Sequence, residues 1–176
     1  MISGSLGGAQ GGWSCNDDNR CDVLDNLLSR LRSAPPTDAL VREAVAILRQ
    51  TAEPDVVAFL VRYGHDAPGQ AAHLAPRALR TKPGFMDLLT QQLRTVDASS
   101  ARYWLEVCEP RIGPRGTLAV IERIFAESPT QGRRILYFAR AVMARHGAAA
   151  LGRLDALDDE LERVGPEKNA AMGDFS

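Results

Sequence analysis

The sequence predicts an all-α protein, built as stacked antiparallel helical hairpins in a short α-solenoid. Three observations carry that reading. Apolar residues recur at helical spacing along almost the whole chain, no stretch alternates convincingly as a strand does, and proline or glycine interrupts the pattern at near-constant distances. The breaks fall near Pro54, Pro68, Pro83, Ala98, Pro114, Pro129 and Gly147, at intervals of 14, 15, 15, 16, 15 and 18 residues. Two helices therefore recur about every 30 residues, the rhythm of pairs that bury apolar faces on the next pair. A compact, irregular helical bundle is the alternative arrangement.

Each element has its own signals. The first helix starts after Asn16 or Asp17, gathers acids in its first turns (Asp17, Asp18, Asp22) and closes on Arg30 and Arg32, as the macrodipole prefers. Its apolar stripe is Cys21, Leu24, Leu27, Leu28 and Leu31, and Pro35-Pro36 stops it. The second, about 38–50, shows Val41, Ala44, Val45 and Leu48 on one face. The third follows Pro54 and is expected to stop at Gly64 in the left-handed conformation. Val56, Val57, Phe59 and Val61 also favour strands, and the Pro54 start and Gly64 stop decide for a helix.

A fourth segment, about 68–81, is expected to kink or split at Pro76, because an interior proline costs roughly 3 kcal/mol. The fifth follows Pro83 and turns Phe85, Met86, Leu89 and Leu93 inward. The sixth, about 99–109, buries Ala101, Trp104, Leu105 and Cys108, and the seventh follows Pro114 with Leu118, Ile121, Ile124 and Phe125. Between these two, Gly113-Pro114-Arg115-Gly116 reads as a turn that opens a helix. The eighth runs from about 130 to 146, and the ninth carries Leu151, Leu154, Leu157, Leu161 and Val164 up to Gly165-Pro166. The domain organisation read from this is a flexible Gly/Ser-rich tail over 1–16, one helical domain over 17–165 and a polar tail over 166–176.

On helix rhythm over roughly residues 37–164, the chain resembles the broad class of α-helical repeat proteins, such as the HEAT and armadillo types. Neither a tetratricopeptide signature nor the ankyrin Thr-Pro-Leu-His is present. By analogy of fold, the resemblance implies a recognition surface along one face of a stack.

Composition narrows the function classes. A net charge of −1 exerts no global pull toward nucleic acid or anionic membrane. The charge is uneven, however: residues 99–147 carry eight arginines against four glutamates, and 148–176 carry three bases against seven acids. Only Lys82 and Lys168 among the 21 bases are lysines, which reads as coding bias or as a demand for forked guanidinium donors. Three cysteines make no disulfide framework. Cys15 and Cys21 can pair, but the odd count fits a reducing compartment. No run of about 18 apolar residues exists, so no membrane span is expected. The start lacks a basic and apolar signal region, which points to the cytoplasm, with secretion by a non-Sec route as the alternative.

The most informative stretch is the eighth helix. At 100° per residue, with Arg133 at 0°, Arg140 falls at roughly −20°, Tyr137 at 40°, Arg134 at 100° and Arg145 at 120°. Phe138, Val142, Ile135, Ala139, Met143 and Leu136 fill the opposite face. Guanidinium forks around an aromatic ring suit phosphate or carboxylate. An equally simple reading pairs the stripe with the acid-rich ninth helix. Tyr103, pointing away from the core candidate Trp104, is a further exposed aromatic.

Other constellations fall short. The acidic start at 16–22 has no glycine or glutamate at the positions a calcium loop requires. Cys15 and Cys21 lack zinc spacing. His65-Asp66, expected in a loop after Gly64, has no nucleophile beside it, and no phosphate-binding glycine motif occurs. No catalytic residue, metal site or cofactor is therefore expected. The reading is a non-catalytic scaffold module that binds a protein partner, with binding residues Arg133, Arg134, Tyr137, Arg140, Arg145 and Tyr103. Nucleic-acid binding through 102–145, and an enzyme whose site is dispersed over several helices, are the alternatives.

Overall fold

A computed structural model describes residues 18–33, 36–95 and 98–164. Among them the chain forms eight α-helices and no strand: α1 (Asp18–Ser33), α2 (Asp38–Gln50), α3 (Glu53–Asp66), α4 (Pro68–Ala78), α5 (Lys82–Thr95), α6 (Ala98–Glu127), α7 (Pro129–Met143) and α8 (Ala148–Val164). A short 3-10 turn, Ala144–His146, joins the last two. The segments read from 56–61 and 118–125 are helical, so the all-α class holds.

The helix starts follow local chemistry. Thr37 caps α2 by accepting a hydrogen bond from the Leu40 amide at 3.3 Å, and Ser128 caps α7 through the Gln131 amide at 3.4 Å. Pro54, Pro68 and Pro129 lie in first turns, where a missing N–H costs nothing. Between α4 and α5 the chain is held by Glu53, whose carboxylate accepts from the Arg80 and Thr81 amides at 3.0 Å each and from the Thr81 hydroxyl at 2.5 Å. Burial pushes the Glu53 carboxyl up, but the Thr81 hydroxyl and the two amides outweigh it, and its pKa settles below the ordinary value. The stability this clasp contributes is therefore present above the unfolded carboxyl's pKa and lost as pH falls through the lower folded one.

Two boundaries differ from the sequence reading, and a third agrees with it. Gly64 does not end α3. It is helical and buried, because a Cβ there would lie 2.4 Å from Gln92 Nε2 and 2.7 Å from Trp104 Cζ2. Glycine serves close packing here, and His65 and Asp66 stand in the last turn of α3 rather than in a loop. Pro76 does not split α4, since it sits in the final turn and the chain leaves at Leu79, in extended backbone. The expected sixth and seventh helices are the two arms of α6, separated at Gly113 by non-helical backbone (φ 75°, ψ 169°), where the Gly113-Pro114 turn was expected. A residue before proline is kept out of the α region, and glycine takes the positive φ that turns the chain there.

The core is continuous. Leu24, Leu27, Leu28 and Leu31 of α1 are buried, as are Phe59, Leu60 and Tyr63 of α3, Leu88, Leu89 and Leu93 of α5, and Trp104 and Leu105 of α6. Each fully buried leucine contributes roughly 1.5–3 kcal/mol. Helices pack on neighbours one or two places along the chain: α3 on α4 and α5, α4 on α6, α6 on α5 and α7, and α7 on α8. This packing suits an all-α bundle or a short solenoid. No helix among the described residues is long and apolar enough to cross a membrane.

Candidate functional site

The residues of α7 divide by face as the 100° spacing requires. Gly132, Ile135, Leu136, Ala139, Val142 and Met143 are buried. Gly132 lets the helix lie close on α6, for a Cβ there would come 2.5 Å from the Phe125 ring. On the outer face Arg133, Arg134 and Tyr137 are exposed. Tyr137 is 76 % exposed, and its ring meets Phe138 edge-on, with centroids 5.1 Å apart and planes at 89°. Tyrosine carries a large apolar ring with few rotors, so such exposure leaves contact area available to a partner. Among the described residues Arg133 and Arg134 make no ion pair.

The remaining arginines of the stripe are engaged. Arg140 reaches Asp155 at 2.8 Å and Asp158 at 3.0 Å on α8. The hydrogen bond to Asp155 holds its pKa above the ordinary value, assisted by Asp158 and opposed by slight burial. Arg145 reaches the carboxylate of Glu109, which is only 3 % exposed, and His146 Nε2 lies 2.5 Å from the other oxygen of that group. A buried carboxylate needs such partners. The pair thus fixes the turn after α7 onto α6. Glu109 lies 36 residues before Arg145, and no local signal in the sequence joins them.

Tyr103 is 49 % exposed on the first arm of α6, beside the Arg102–Glu106 pair at 2.7 Å. No ring contact among the described residues joins it to Tyr137. Trp104 and Phe125 are core. His65 is exposed in the last turn of α3, and Asp66 beside it pairs with Arg32 at 2.5 Å. Cys108 is buried, and burial pushes its thiol up to about 12, which makes it unreactive. Cys21 is disulfide-bonded. Cys15, Asn16 and Asp17, which entered the zinc and calcium readings, lie outside the described residues, as do both tails. Among the described residues no group of three or more His, Cys, Asp or Glu is placed to hold a metal.

Neither a protein-family model, nor a curated protein, nor a solved structure matches this chain.

Proposed function

We propose that the protein is a non-catalytic recognition module that binds an acidic segment of a protein partner on the outer face of α7. The observation that carries this reading is the exposure of Tyr137 between two arginines without an ion-pair partner among the described residues. Exposed tyrosine and arginine are the residues in which interface energy concentrates. A carboxylate would take a guanidinium fork two bonds at a time, and the ring would supply apolar contact beside it. Tyr103 lies on another helix and is not assigned to this face.

The nucleic-acid alternative draws less support. Three of the eight arginines along 102–145, Arg102, Arg140 and Arg145, are paired with Glu106, Asp155, Asp158 and Glu109 within the fold.

The test is photo-crosslinking in the native host, with a benzophenone amino acid at position 137 and a control at the exposed Ala149. The expected result is one discrete adduct from 137, absent from 149, sensitive to protease and lost with R133E/R134E. Identical patterns at the two positions would contradict the proposal, and an adduct removed by nuclease alone would replace it with the nucleic-acid reading.

A further inference from the structure

At the opposite end of the chain, a groove of about 440 Å³ opens between the end of α1, the start of α2 and α4. A second hollow of about 420 Å³ adjoins it and shares Leu31, Tyr63 and Gln70 as lining. These volumes lie within the range of small-molecule sites. We propose that the groove binds an amphipathic organic anion, with an apolar body the size of a short chain or single ring and a carboxylate or similar oxyanion at its head. This site is separate from the α7 face and does not depend on it.

The walls differ in chemistry. Leu31, Val41 and Leu74 give the groove its apolar side. Gln70, His73 and Arg77 stand at positions i, i+3 and i+7 of α4, which places all three on one stripe of that helix facing the groove. The Tyr63 hydroxyl, on a fully buried side chain, donates to Gln70 Oε1. That bond occupies the amide oxygen and leaves the Gln70 NH₂ as the end that can donate into the groove.

Charge selects the head group. Arg77 makes no ion pair among the described residues. Asp38 also lines the groove, but it sits in the first turn of α2, where the helix start offsets a negative charge. In the adjoining hollow Arg32 and Asp66 neutralise each other at 2.5 Å. What remains is a guanidinium fork, an imidazole and an amide, all able to donate, above an apolar wall. That set complements an oxyanion carried on an apolar tail.

Gly69 supplies a clean way to close the groove. It lines the cavity, and a Cβ there would meet nothing within 4 Å. The first atom of a substituted side chain therefore strikes nothing, and the bulk of a tryptophan can be carried at the groove's lining. Gly152 on α8 is equally unobstructed and serves as the control.

The experiment titrates the full chain with hexanoate, hexylamine and hexanol, three probes with one tail and different heads, followed by amide chemical shifts. Hexanoate is expected to give saturable shifts at Gln70, His73 and Arg77, with an affinity at least about tenfold above that of the other two. G69W should abolish those shifts and G152W preserve them, while R77Q should weaken hexanoate selectively without changing Tm. Absence of saturable shifts with hexanoate would overturn the proposal. So would equal or tighter binding of hexylamine or hexanol, or undiminished hexanoate binding by G69W.

Discussion

The start of α7 and the stretch from its end into the following turn carry the same residue type to different ends. In the first Arg133 and Arg134 stand exposed around Tyr137, whereas in the second Arg140, on α7, and Arg145, in the 3-10 turn, are drawn onto carboxylates of α8 and α6. The neighbour sets the role. A guanidinium with an acid within reach becomes part of the fold, and one without remains available to a ligand. A stripe that is uniform on a helical wheel is thus divided by tertiary packing.

That division can be broken in graded steps, by substitutions along α7 and the turn that follows it. The largest effect is expected from G132A, on the buried face. Its methyl group meets the Phe125 ring and should wedge α7 off α6, at a cost of about 2–3 kcal/mol in denaturant unfolding. R145A comes next, at about 1–2 kcal/mol, because the buried Glu109 then keeps only His146. R140A should cost no more than about 1 kcal/mol, since both of its ion pairs are partly exposed. At the bottom of the scale, Y137A should change stability by less than about 0.5 kcal/mol in the same measurement. A substantial loss in Y137A would mean that the exposed half also supports the fold.

Much of the architecture was legible because its determinants are local. The first-turn prolines Pro54, Pro68 and Pro129 mark starts through a bond they do not need within one turn. The inward residues of α7 followed from a fixed rotation per residue. The misread boundaries share a cause. Gly64 carries the signature of a helix stop, yet what requires glycine there is Gln92 and Trp104, 28 and 40 residues further along. Pro76 has the signature of a break, and its position in a last turn makes it harmless. The site follows the same rule. The composition of the stripe and its acid-rich neighbour were visible in sequence, but the engagement of Arg145 by Glu109 depends on how α6 bends at Gly113. The groove along α4 was not visible at all, because its walls come from separate helices and its donors form no linear motif.

The division of α7 is tested most directly by thermal denaturation of two double charge reversals, R133E/R134E and R140E/R145E, side by side. The second places glutamates against Asp155, Asp158 and Glu109, and should lower stability by roughly 3 kcal/mol, or about 6–12 °C in Tm. The first should leave Tm within about 2 °C of the parent protein. Equal losses in the two variants, or a larger loss in R133E/R134E, would contradict the assignment of Arg140 and Arg145 to the fold and of Arg133 and Arg134 to a partner.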